Sequence, residues 1–257
     1  MSEQKATHSH QEGSDLIRTI SLSGDGVATA DSAPTANAGV TSIREARFRG
    51  ANPGPLGLAG FAFTTFLLSL VNLQAQDVKV PNIVLAPALT YGGIAQFCAG
   101  MWEMAAGNTF GATALGSYGA FWVSYGFILM PSLGIAEAYP SAAELNHAIG
   151  FFLMGFFVFT VLLTLCTMKK TVSFFILLTL VDVTFLLLGL SNLLTDENGE
   201  PNQNIAKAGG VFGIVAAFNA WYIMYADMAD NQNSLLLAPQ PRMPWGTQGR
   251  RSKDLEN

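Results

Sequence analysis

Long apolar runs separated by short polar links fill the chain between residues 51 and 229. A helix needs about 20 apolar residues to cross the hydrocarbon core of a bilayer. Six runs of that kind stand out: Leu56–Leu73, Val84–Ala106, Phe110–Met130, His147–Met168, Thr171–Asn192 and Ala208–Met228. Their apolar residues are clustered rather than alternating, as in membrane helices and unlike half-buried strands. Two links are tight, Gly107-Asn108-Thr109 and Lys169-Lys170, and three are longer, near Gln74–Ile83, Pro131–Asn146 and Leu193–Lys207. The pattern predicts an all-α membrane protein with six transmembrane helices in one bundle, residues 51–229. Residues 1–50, rich in Ser, Thr, Ala, Gly and charge, read as a disordered tail with no signal peptide. A second tail, 230–257, is polar and proline-bearing.

Composition agrees with this reading, since half of the 257 residues are hydrophobic and only 12% are charged. The basic residues then give an orientation. Of 13, 11 fall on one side: Lys5, Arg18, Arg44, Arg47, Arg49, Lys169, Lys170, Arg242, Arg250, Arg251 and Lys253. Only Lys79 and Lys207 fall on the other. The positive-inside rule therefore predicts a multi-pass plasma-membrane protein with both termini cytoplasmic. A net charge of −5 gives no reason to expect nucleic acid as a partner.

The mouth of the first span reads Asn52-Pro53-Gly54-Pro55-Leu56-Gly57-Leu58. Proline fixes φ, lacks an N–H and pushes its predecessor toward extended geometry. Asn52 and Gly54 are thus expected to be extended, with the helix beginning at Pro55. The free N–H groups of Leu56, Gly57 and Leu58, with the Asn52 amide, make this end a candidate site for a small anion. The expected spans contain no Lys or Arg, so a carboxylate would have to be handled by helix-end N–H groups, amides and hydroxyls. Asn52, Thr64, Thr65, Gln96, Thr113, Ser117, Tyr118 and Ser124 are the candidates. For Asn52 and Tyr118 the alternatives are a helix cap and a packing aromatic.

Three segments together resemble the acetate uptake transporter family, in its fungal acetate and ammonia branch. They are Asn52–Leu58, Tyr91-Gly92-Gly93-Ile94-Ala95-Gln96-Phe97 and Gly107-Asn108-Thr109-Phe110-Gly111, followed by Ser117–Trp122. The resemblance runs from about residue 51 to about 229. It implies a six-span protomer with its own pore, assembled with copies of itself into a homo-hexamer. It also implies transport of acetate and other short monocarboxylates, with succinate a further candidate, by proton coupling or as an anion channel. A Phe, a Tyr and a Leu form a hydrophobic constriction in that family. These correspond to Phe61, Tyr118 and, in an ungapped count from Lys169, Val181, or Leu180 one residue earlier. Leu56, Thr64 and Gln96 complete the expected substrate path with Asn52.

Asp182 is the clearest charge inside a span, and such groups are expensive and mark ion or proton paths. Uptake of a coupled proton and a hydrogen-bonded clamp between helices are its two readings. Glu103 and His147 sit at span ends and read as interfacial groups. The chain has no GxSxG or HExxH, its histidines are scattered at His8, His10 and His147, and no Cys/His spacing suits a metal. No enzyme, cofactor or metal is expected. A membrane acetate sensor that moves nothing, and an ammonia exporter, are the competing functions.

Overall fold

A computed structural model describes residues 51–244. The expected tail 1–50, with its basic residues, and the end of the second tail lie outside the described residues. Six helices follow in order: α1 (Gly54–Asn72), α2 (Asn82–Ala105), α3 (Thr109–Leu129), α4 (Ala142–Thr167), α5 (Val172–Leu193) and α6 (Gln203–Met228). Five are long and apolar enough to cross a membrane. The sixth, α3, has 21 residues, and its Gly, Ser, Tyr and Trp lower its hydropathy without shortening it. Successive helices alternate in direction, so α1 begins and α6 finishes at one end of the bundle, here the terminal end. The opposite end carries the longer links and is the loop end.

Capping residues explain where the helices start. Ser141 Oγ accepts from Glu144 N at 3.2 Å, so α4 begins at Ala142 rather than at the apolar boundary near His147. Asn202 Oδ1 accepts from Asn204 N and Ile205 N, which carries α6 back to Gln203. In the first helix, Gly54 is already helical and Pro53 takes an αR conformation before it. The expected extended Gly54 is thus corrected. The clash that bars a pre-proline residue from the helix involves its Cβ, and glycine has none.

The helix neighbours form a hollow ring. α1 packs on α2 and α6, α6 on α5, α5 on α4, and α2 on α3. Between α3 and α4 the contact is made by aromatic side chains: Tyr118 meets Phe159, and Phe121 meets Phe152 and Phe156. The α1–α2 crossing is one of the close approaches. Pro87 stands inside α2, and the helix widens into a π segment at Thr90–Ala95. A proline cannot donate to the preceding turn and its ring presses on it, and π segments absorb such a mismatch. There the Tyr91 carbonyl lies over Gly60 and Thr64 lies over Gly92, with no room for a Cβ at either glycine.

Beyond α6 the chain folds back along the terminal end. Gln240 Nε2 donates to Asp227 Oδ1 at 2.7 Å, Val172 N to Pro241 O at 2.9 Å and Met243 N to Lys170 O at 3.0 Å. Met243, part of this strap, is itself buried.

Gly60→Ala places a methyl against the Tyr91 carbonyl and is expected to lower stability by about 1–3 kcal/mol. Thermal melting of the purified protein in detergent measures this; an unchanged midpoint would mean that the crossing is loose.

Candidate functional site

A cavity of about 440 Å³ occupies the loop-end half of the ring. Its mouth is polar, with Lys79, Asn146, Asn192, Glu200 and Gln203 among the lining groups, and its floor is Phe61, Val181 and Phe185. Thr65, Ser69, Thr184 and Trp122 are among the residues of its wall. Thr65 Oγ1 and Trp122 Nε1 are buried without a hydrogen-bond partner. Such groups carry a cost unless something satisfies them, and each can donate to a carboxylate oxygen.

Below the floor the ring is shut. Tyr118, 4% exposed, has the Phe61 ring at 5.8 Å, Phe159 at 5.8 Å and Phe185 at 6.4 Å. Phe121 packs on Phe185 at 5.1 Å and on Phe156 at 4.8 Å. These rings come from α1, α3, α4 and α5, so the plug exists only in the assembled bundle. Tyr118 Oη shares a hydrogen bond with Thr160 Oγ1 at 2.9 Å, which satisfies the phenol without water.

The expected site residues divide into three groups. Phe61 and Val181 line the cavity floor, and Tyr118 packs on Phe61 beneath it. Val181, not Leu180, is the one that lines the cavity; Leu180 packs beside it in the core. Thr64 points to the α2 side, where its hydroxyl donates to Gly60 O at 2.9 Å, and its neighbour Thr65 faces the cavity instead. Gln96 is fully buried, with neither amide atom partnered, at the end of the π segment and outside the cavity lining. Asn52 and Leu56 lie at the terminal end, away from the cavity, and Leu56 is 46% exposed.

The expected anion site at the start of α1 holds a carboxylate of the protein itself. Glu103 is 6% exposed and accepts from Asn108 Nδ2 at 2.7 Å. It packs against Gly54 and Gly111, at the first turns of α1 and α3. Both helix ends are positive, which suits a carboxylate. Asn52 Oδ1 accepts from Gly54 N at 3.0 Å, a local turn bond that spans the N-cap residue Pro53. Nearby, the Lys170 ammonium lies 3.8 Å from the Phe110 ring centre. Burial lowers its pKa from the ordinary lysine value, with the charges of Glu103 and Cys166 pulling it back up.

Sequence reasoning did not single out Ser69, Thr184, Phe185, Thr160 or Thr164. An i, i+4 phase from Phe61 through Thr65 to Ser69 was available in α1, but the others needed knowledge of which helices pack together. Asp182 sits one residue beyond Val181 and turns toward α4, where Thr164 Oγ1 donates to its Oδ2 at 2.7 Å.

Comparison with known proteins fits this architecture. The model of the GPR1/FUN34/yaaH family matches residues 33–245. Acetate permease A of Emericella nidulans is 47% identical over 79% of this chain and 70% of that protein, so the fungal relative is the longer of the two. The succinate-acetate/proton symporter SatP of Escherichia coli K12 is 38% identical over 74% of this chain and 94% of the relative. Among solved structures, that of the bacterial acetate channel SatP superposes with a TM-score of 0.64 and 35% identity, covering 76% of this chain and 99% of that one. On the extent of these matches, the chain belongs to the GPR1/FUN34/yaaH family.

Proposed function

We propose that this protein carries acetate and other short monocarboxylates across a membrane through its own helix ring, with Phe61 and Tyr118 as the selective neck. The observation that carries this reading is a cavity that ends on a sealed aromatic floor, with the unpartnered donors of Thr65 and Trp122 buried just behind its wall. The names of its relatives, an acetate permease and a succinate-acetate/proton symporter, supply the substrate class.

Magnitudes favour passage of the neutral acid, or of anion and proton together. Moving a bare carboxylate into an apolar neck costs tens of kcal/mol in the Born limit. Protonating a carboxyl of ordinary pKa at neutral pH costs about 3–4 kcal/mol. No Lys or Arg stands on α1–α5 to offset the desolvation of a bare anion, and Lys207 of α6 is at the loop end. Protonation is the cheaper route through the neck. The protein is further proposed to be a homo-hexamer in the plasma membrane with cytoplasmic termini, each protomer with a separate path. The loop-end cavity then faces outward and receives substrate from outside.

Labelled acetate uptake into proteoliposomes of the pure protein tests the function. Uptake above that of empty liposomes, increased by an inward proton gradient, is the expected result; no protein-dependent flux would leave an acetate sensor as the better reading. In the same assay Phe61→Ala or Tyr118→Ala is expected to admit larger acids such as lactate. An unchanged substrate profile in both would show that the neck lies elsewhere. Asn52→Ala should remove one exposed side-chain hydrogen bond, worth about 1 kcal/mol at most, and leave the substrate profile as it was, read by melting and by competition with unlabelled acids. A changed profile would bring Asn52 into the path.

A further inference from the structure

Asp182 lies midway along α5, where a lone carboxylate has little support. Thr164 of α4 donates to Oδ2 at 2.7 Å, while Oδ1 is buried and without a partner. Asp182 is partly buried, and one donor does not fully compensate an ionised carboxylate whose second oxygen is shut off from water. A proton on the group removes most of that cost.

The chemistry of Thr164 links that proton to the neck. Its hydroxyl has one hydrogen and two acceptors in reach, Asp182 Oδ2 and, one turn back, Thr160 O at 2.9 Å. The ionised carboxylate claims the hydrogen. Once protonated, the carboxyl donates to Thr164 Oγ1 instead, and the threonine hydrogen is released to Thr160 O. Back-bonding of this kind bends a helix. The same stretch of α4 holds the neck: Thr160 binds the Tyr118 phenol, Phe159 packs on Tyr118 at 5.8 Å, and Phe156 packs on Phe185 at 5.9 Å.

We propose that Asp182 is the proton-binding positioning residue that opens the aromatic neck, acting through Thr164 on the Thr160 turn of α4; this rests on the carboxylate-transport reading above. The proton comes from the aqueous phase and returns to it, and only O–H bonds are exchanged. Other titratable groups on the packed helices stand elsewhere. Tyr118 of α3 is within electrostatic reach, and Tyr125 is two turns further along α3. On α4, Glu144 and His147 are at the loop end and Cys166 at the terminal end. On α6, Lys207 is at the loop end and Tyr222, Tyr225 and Asp227 are at the terminal end, and α1 has none.

The test is acetate flux into proteoliposomes across a pH series, with empty-liposome flux subtracted, for the wild type, Asp182→Asn, Asp182→Glu and Thr164→Val. Infrared titration of the same samples follows the protonated carboxyl and the tyrosine ring bands. Acid-stimulated flux in the wild type, loss of that stimulation in Asp182→Asn and Thr164→Val, and a displaced midpoint in Asp182→Glu are the expected results. The wild-type pH profile retained in Asp182→Asn would overturn the proposal. Should Asp182→Asn not fold, an undisplaced midpoint in Asp182→Glu would do the same. If the wild type carries no flux, the transport reading fails, and the infrared titration decides alone. A carboxyl band missing in Asp182→Asn, with a tyrosine shift missing in Thr164→Val, supports the switch; no titrating carboxyl refutes it.

Discussion

The packing of aromatic rings around Tyr118 is the constraint on which the rest of this molecule depends. A ring of helices in lipid has no hydrophobic drive to collapse on itself, and this one leaves a cavity of about 440 Å³ in its loop-end half. What closes the middle is side-chain volume: Phe61, Phe159, Phe185 and Phe121 meet around one phenol whose hydroxyl is satisfied by Thr160. Because α3 and α4 touch chiefly through these rings, the plug is both the seal and the joint between them. A joint made of side chains moves by rotamer change and small helix bends. One made by close backbone packing does not.

The contrasting joint is at the α1–α2 crossing, where Gly60 and Gly92 leave no space for a Cβ and the π segment fits one helix to the other. The corner built from Glu103, Asn108 and Gly54 is equally fixed, since a buried carboxylate there serves two helix starts at once. Stiffness is thus concentrated on the α1–α2–α3 side. Hydroxyl bonds that can be re-dealt are concentrated on α4, at Thr160 and Thr164, beside the acid on α5.

The helices were legible in the sequence because apolar length is a sufficient signal for a membrane span. Their first residues were not, because the caps at Ser141 and Asn202 reach past the apolar boundary. Ser141 and Glu144 form a capping-box spacing that could have been read directly. For the neck, Phe61 and Tyr118 were singled out by family resemblance, and the structure brings their rings into contact. Thr64 and Thr65 could not be separated without the helical phase, and one residue of rotation puts Thr65 on the cavity and Thr64 on α2. The start of α1 was read as an anion site because its free N–H groups are visible in sequence. The carboxylate that occupies that corner, Glu103, is distant in the chain and shows only in three dimensions.

Passage of substrate through the loop-end cavity to the aromatic floor is tested most directly by thiol labelling at Asn192, a partly exposed residue of the cavity lining. Asn192→Cys is made after Cys98 and Cys166 have been replaced by Ser, and a membrane-impermeant thiol reagent is added from the side that the loop end faces. Labelling is expected to abolish acetate uptake, and acetate present during labelling is expected to slow the reaction. Full modification of the introduced thiol with uptake unchanged would contradict a route through this cavity.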